Sequence, residues 1–317
     1  MVSAETENCE TEVVRFLSAG QPVALPTETV YGLAADALNP MACERIFKAK
    51  ERPFDDPLIV HLPSPDWLDK LCEPSPLARR LAEVFWPGPL TLVLPRHEIV
   101  PDIVTAHQNT LAVRISAHPI FQKIINAFNR PLAAPSANRF GRISPTQAAH
   151  VRSELDGRIP LIVDAGPCLH GIESTIVSIQ SDHLLLCRQG PITKEQLERF
   201  AVVLEGGGRE EITPGSLPSH YAPRTPCRFW EGGPPPVGLS VGLLAWNKPK
   251  VKFAQVEYLS TKQDLRDAAA NLYDALRRLD EAMLDLIFVE RVPTAGCGAA
   301  IMERLTKATG SLTHSSL

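Results

Sequence analysis

The 317-residue sequence contains no Cys-x-x-Cys pair, no Walker A loop, no kinase signature, and neither a His-Glu-x-x-His nor a Gly-x-Ser-x-Gly motif. These absences exclude a standard phosphate loop, a zinc-protease helix and a serine-hydrolase elbow, so any use of ATP must run through another geometry. The seven cysteines, at 9, 43, 72, 168, 187, 227 and 297, are odd in number and scattered. That argues against a disulfide framework or zinc knuckle and for reduced thiols. No apolar run is long enough to span a membrane, and the acidic opening MVSAETENCETEVV lacks the apolar core of a signal peptide. A soluble, cytoplasmic protein without a membrane partner is expected. Charge of one sign is also missing in bulk: a formal net charge of −4 gives the whole molecule no attraction for nucleic acid, while leaving room for a local basic site.

What remains is an ordinary globular composition, 44% hydrophobic and 21% charged, in a chain long enough for two domains. Its most informative stretch is 22–62, PVALPTETVYGLAADALNPMACERIFKAKERPFDDPLIVHL. Residues 22–25 read as a short strand closed by Pro26. Thr27, Glu28, Thr29 and Tyr31 then gather hydroxyls and a carboxylate around Gly32, which permits close backbone approach. Asn39 and Pro40 have the pattern of a helix cap and first position. The helix ends in Lys48, Lys50 and Arg52, cations that either compensate the helix dipole or serve a ligand. His61 follows on the apolar strand 58–62, and together these groups suit a polyanion.

Further strands are expected at 90–94, 111–115, 132–134, 161–164, 175–179 and 184–188, with helices at 8–19, 66–71, 77–85 and 118–128. Arg114 inside an apolar strand needs either an ion-pair partner or a ligand, since an unpaired buried cation is very costly. The small residues of Pro135-Ser136-Ala137-Asn138 suit approach to a phosphate, or simply a turn. Ser144-Pro145 reads as the cap and first residue of a helix, and Thr193-Lys-Glu-Gln196 as a capping box. Proline and glycine crowd residues 205–237, which read as a linker that nevertheless carries His220-Tyr221. Beyond it, a strand at 238–246, a long amphipathic helix at 262–283, a strand at 284–289 and a helix at 299–308 make a second, smaller α/β domain. Gly296-Cys-Gly298 reads as a helix-entry turn.

PTETVYGL, KAKERP, PLIVH, FWPGPLTLVL, APSAN, GIESTI and PGSLPSHYAP, in that order, resemble the YrdC/Sua5 family of threonylcarbamoyl-adenylate synthases in its long form. The resemblance implies a twisted-sheet YrdC-like catalytic domain (1–207), a linker acting as a lid (208–237) and a Rossmann-like C-terminal domain (238–317). It implies a nucleotidyltransferase that joins L-threonine, bicarbonate or CO2, and ATP carried with Mg²⁺, into threonylcarbamoyl-AMP and pyrophosphate. The product would pass to a tRNA-modifying threonylcarbamoyl transferase complex, with weak or no direct tRNA binding by the synthase. Lys50, Arg52, Ser136 and Asn138 match the family's catalytic phosphate positions. Thr110, Ser144 and Arg188 match other nucleotide contacts. Asp56 would lie beside the triphosphate, where many relatives carry asparagine or lysine. The linker lacks the basic residues some relatives have, leaving His220 and Tyr221 as its ATP-contact candidates. Thr29, His61, Arg114, Ala134 and Ser174 match threonine-binding positions. The metal ligands are not implied. Two alternatives are a non-catalytic RNA-binding module and a carbamoyl-transferring relative.

Overall fold

The computed structural model describes residues 1–206 and 221–310. Among these, eleven strands form one large sheet: β1 (Val2–Ser3), β2 (Val23–Leu25), β3 (Gly32–Asp36), β4 (Ile59–His61), β5 (Leu90–Pro95), β6 (Thr110–Arg114), β7 (Leu132–Ala133), β8 (Leu161–Asp164), β9 (Thr175–Ile179), β10 (Leu184–Arg188) and β11 (Val203–Glu205). Their spatial order is β1-β8-β2-β3-β7-β4-β6-β5-β9-β10-β11. Parallel and antiparallel pairs mix in this twisted α/β sheet. A C-terminal domain holds a separate sheet of β12 (Cys227–Phe229), β13 (Val241–Ala245), β14 (Gln255–Tyr258) and β15 (Leu286–Val289), ordered β12-β15-β13-β14 and parallel throughout.

Register in the large sheet decides where chemistry can gather. β4 and β6 run parallel with Ile59 opposite Ala112 and His61 opposite Arg114. Side chains alternate across a strand, so Val60, Val113 and Leu92 enter the main core. That core is closed by helices Pro40–Lys50, Pro76–Phe85 and Ala148–Leu155. On the opposite face Ile59, Val93, Ala112 and Ile176 form a small apolar patch. His61 and Arg114 lie two residues beyond Ile59 and Ala112 and therefore share that face. Helices Cys9–Ser18 and Pro119–Phe128 cover the neighbouring strands β2, β3, β7 and β8 there. Phe121 of the second helix meets the His61 ring at 4.6 Å between centroids.

Local signals account for the helix ends that matter. The Asn39 side chain accepts from Met41 N and Ala42 N, and Pro40 opens the helix without losing a donor. Glu51 ends it in the left-handed region at φ 55°, turning the chain so that Arg52 leaves the helix axis. Asp264 caps the long C-terminal helix Leu265–Glu281 through Arg266 N and Asp267 N, and Gly296 (φ 54°) precedes helix Cys297–Gly310. The Gln196 side chain accepts from Thr193 N, as the capping-box spacing implies, although that helix is only Lys194–Leu197.

Four expectations need correcting. Ser144-Pro145 does not start a helix; the helix begins at Ala148, and Ser144 Oγ instead donates to the buried Glu173 carboxylate. The charge-assisted bond from the hydroxyl to a buried anion turns the Ser144 side chain towards Glu173 and away from a capping role. Strands Val203–Glu205 and Gln255–Tyr258 have no counterpart in the sequence reading. Residues 227–229, read as linker, pair with β15 as an edge strand of the C-terminal sheet. Such three- and four-residue strands are too short to show a period, and their partners select them.

Candidate active site

The loop between β2 and β3 is built by one hydroxyl. Thr27 Oγ1 donates to Val30 O at 2.6 Å and accepts from Thr29 N and Val30 N at 3.1 and 3.2 Å. Since a hydroxyl has one proton, the 2.8 Å contact with Thr29 Oγ1 has Thr29 donating. Thr29 Oγ1 in turn accepts from Arg114 Nη2 at 3.1 Å. This chain of bonds orients the loop before any ligand arrives.

Arg114 is 3% exposed, and its partner is Glu28: Nη1 donates to Oε1 at 2.9 Å. The other Glu28 oxygen accepts from Ser116 Oγ and from Ala117 N at 3.1 Å. The ion pair thus answers the burial cost that the sequence posed, and Arg114 still faces the cleft. Its Nε donates to His61 Nε2 at 3.4 Å, so that nitrogen is the acceptor and the ring proton sits on Nδ1. Among the described residues Nδ1 has no hydrogen-bond partner. Burial, with Arg114 alongside, pushes the His61 pKa well below its ordinary value, so the ring is neutral.

Across the cleft, Ser174 Oγ meets Thr91 Oγ1 at 2.8 Å and accepts from Arg188 Nη2 at 3.0 Å. Arg188 Nε donates to Ser174 O at 2.9 Å. Thr27, Thr29, Gly32, Ile59, His61, Arg114, Ala134, Ser136, Glu173, Ser174, Arg188, Arg52 and Tyr221 border one cleft. Gly32 packs tightly there: a Cβ would come within 3.3 Å of the Ala134 side chain, which would have to shift by a few tenths of an ångström.

Arg52 reaches the cleft while held from behind: Nη2 donates to Pro57 O at 2.7 Å, Nε donates to Asp56 O at 3.2 Å, and the guanidinium forms an ion pair with the Asp56 carboxylate at 2.9 Å. Burial lowers the Arg52 pKa and the fully buried Asp56 offsets it. Asp56 is therefore placed as a counter-ion behind Arg52 and does not line the cleft. Lys50 also lies behind the wall, with Nζ donating to Ser136 O at 2.5 Å and Asn138 O at 2.6 Å. Burial, with Arg52 nearby, pushes its pKa well below the ordinary lysine value. Asn138 Nδ2 donates to Arg139 O and Arg142 O at 2.7 and 2.9 Å, while Oδ1 has no partner among the described residues. Thr110 stands at the start of β6 opposite Pro95 and Ser144 sits on Glu173; neither borders the cleft. His220 falls outside the described residues, whereas Tyr221 is buried, at φ 66°.

The sequence reading gave no role to Glu173, Tyr273 or Arg304. Glu173 belongs to the GIESTI motif, and its carboxylate accepts from Ser144 Oγ, Tyr273 Oη and Arg304 Nε. Burial alone would raise the Glu173 pKa, but Arg304 and Arg188 hold it below the usual glutamate value. The GIESTI motif was the only available signal; the two partners lie 100 and 131 residues away. Among the described residues no group of three His, Cys, Asp or Glu is placed to hold a metal ion.

Burial depresses four histidines: His61, His118, His170 and His150, the last to about 4. A group whose folded pKa is depressed gives stability above its unfolded pKa and loses it as pH falls. Stability should therefore decline as pH drops from roughly 6.5 towards 4. Unfolding calorimetry near pH 5.5, in buffers of different ionisation heat, should report net proton uptake on unfolding. Absence of uptake would show that these rings protonate freely in the fold.

Two family models match the chain. That of the Sua5/YciO/YrdC family, described as "Telomere recombination", spans residues 15–190. A second, described as "Threonylcarbamoyl-AMP synthase, C-terminal domain", spans residues 192–310. A Bacillus subtilis protein named threonylcarbamoyl-AMP synthase is 42% identical over 322 residues, covering 94% of this chain and 92% of its own length. A Pyrococcus abyssi protein of the same name is 40% identical over 313 residues, covering 93% and 92%. The crystal structure of P. abyssi Sua5 complexed with L-threonine is similar over 98% of this chain and 96% of that one, with TM-score 0.88 and 37% identity.

Proposed function

The chain belongs to the Sua5/YciO/YrdC family, with the C-terminal domain of the threonylcarbamoyl-AMP synthases, and from that membership we propose how its cleft performs that synthesis. L-Threonine, bicarbonate and ATP are joined into threonylcarbamoyl-AMP, with pyrophosphate and water released. The threonine amine takes up CO2 as a carbamate, a carbamate oxygen attacks the α-phosphorus of ATP, and the bond to the β-phosphate oxygen breaks. Mg²⁺ arrives on the ATP as part of the substrate. The adenylate then passes to a threonylcarbamoyl transferase complex that modifies tRNA.

One observation carries this reading: Thr29, His61, Arg114, Ala134 and Ser174 border a single cleft that Arg52 and Arg188 also enter. Arg114 spends three of its five N–H groups on Glu28, Thr29 and His61. One N–H remains on each terminal nitrogen, the pair that a forked contact with the threonine carboxylate requires. The neutral His61 offers its Nδ1–H to the substrate. Ser174 and Arg188 form the opposite wall. Arg52 and Arg188 supply fixed positive charge for the phosphates as negative charge moves onto pyrophosphate. Lys50 acts from behind by fixing the carbonyls of Ser136 and Asn138, and so the donors of that loop. Asn138 Oδ1, buried and unpartnered among the described residues, awaits a donor from the nucleotide. Tyr221 closes the cleft from the linker side, as a lid that keeps water from a hydrolysable product.

The test is pyrophosphate release from ATP with L-threonine and bicarbonate supplied together or omitted singly. Release should require both. Equal release without threonine would remove the assigned reaction.

A further inference from the structure

The cleft belongs to the large sheet, yet the groups that hold its Ser174–Arg188 wall come from the C-terminal domain. Glu173 is 6% exposed, and among the described residues the hydrogen-bond partners of its carboxylate other than Ser144 Oγ lie on that domain. Tyr273 Oη lies 2.9 and 3.1 Å from the two carboxylate oxygens, and Arg304 Nε donates at 2.9 Å. The same arginine uses Nη2 to donate to Gln189 O at 2.9 Å, while Glu303 accepts from Gln189 N, also at 2.9 Å. Residues 173 and 189 are thus gripped by the C-terminal domain, and their chain neighbours Ser174 and Arg188 both line the cleft and are bonded to each other.

Three further contacts continue this grip. The Tyr221 ring stacks on Tyr273 at 5.7 Å, 23° from parallel, and the Arg304 guanidinium lies 5.2 Å from its centroid. Gly171, at φ 66°, presses its backbone onto helix Leu265–Glu281; a Cβ there would stand 2.4 Å from Ala270 O. No side chain larger than hydrogen fits between the loop before Ser174 and that helix.

We infer that Tyr273 and Arg304 are positioning residues of the synthase: they fix Glu173 and Gln189, and through them set the placement of Ser174 and Arg188. This rests on the threonine-binding role proposed for Ser174. The physical requirement is strict, because a buried carboxylate that loses donors must find others, move or take up a proton. Each of these disturbs the adjoining residue 174. The C-terminal domain therefore completes a site to which, apart from Tyr221 on its linker side, it contributes no cleft-lining side chain among the described residues.

The test uses the full chain with Tyr273→Phe, which keeps the stacked ring, and Arg304→Lys, which keeps the charge but not the two-ended grip. Arg278→Ala serves as a control on the same helix, since its pairs with Glu257 and Asp274 lie outside the cleft lining. Hydrogen–deuterium exchange over residues 165–176 and 186–190 reads positioning without reference to activity. Threonine-dependent pyrophosphate release reads its consequence. Both variants should exchange faster in these two segments and lose about tenfold in kcat/KM for L-threonine, the worth of one good buried hydrogen bond. Arg278→Ala should do neither. Unchanged exchange in both variants overturns the inference, as does faster exchange with parental kcat/KM. If the parent itself lacks threonine-dependent release, the proposed reaction fails, and the exchange data still decide whether the grip exists.

Discussion

Arg114→Ala is expected to reduce threonine-dependent turnover by about a thousandfold or more and to destabilise the fold by about 3–5 kcal/mol, the cost of breaking a buried ion pair from one side. The turnover loss combines the proposed anchor for the threonine carboxylate with the bonds that orient Thr29 and His61. The stability loss has a separate origin: Glu28, 4% exposed, would lose its ion-pair partner in a buried site and retain, among the described residues, only Ser116 Oγ and the Ala117 amide as partners of its side chain. The two effects can be divided. Arg114→Met combined with Glu28→Gln removes both charges at once and should recover most of the lost stability while leaving turnover at the level of the single variant. Urea unfolding and pyrophosphate release measure the two quantities. Parental turnover in Arg114→Ala would remove the arginine from the substrate site.

Arg52→Lys should lower turnover by about a hundredfold, comparable to losing one preorganised donor at a site of developing charge. The change preserves charge but not shape. Arg52 holds Asp56 and Pro57 with one side of its planar fork while presenting the rest to the cleft. An ammonium on a flexible stem cannot do both at once. The fold should survive, since Asp56 keeps a cation within reach. Unchanged kcat and kcat/KM for ATP in this variant would place the phosphates elsewhere. Lys50→Ala should also slow turnover, though by a different route. Its Nζ is bonded to two carbonyls behind the wall, so its loss loosens the Ser136–Asn138 loop.

That difference between Lys50 and Arg52 marks a limit of reading residues by type. Both are cations at one helix end, and the motif KAKERP assigns them the same task. The chain turn at Glu51 sends the Arg52 guanidinium to the cleft and leaves the Lys50 amine beneath the neighbouring loop. Asp56 shows the same limit: its carboxylate pairs with Arg52 and does not border the cleft. Tyr221, by contrast, stood out in the sequence as too chemically rich for a tether, and it does border the cleft.

The sequence by itself determined whatever depends on neighbours along the chain. Asn39-Pro40 set a helix start, the apolar runs of β4, β5, β6 and β9 set strands, and the order of motifs set the family. Capping and periodicity act within a few residues, so the pattern is legible without a partner. Only the tertiary structure decided which charges would meet. Arg114 lies 86 residues from Glu28, and Arg304 lies 131 from Glu173. Their motifs mark these acids as part of a site, but nothing local names the cation each will meet. A buried charge is tolerable only where the chain path brings an opposite charge and donors to it, and that path is a property of the packed sheets.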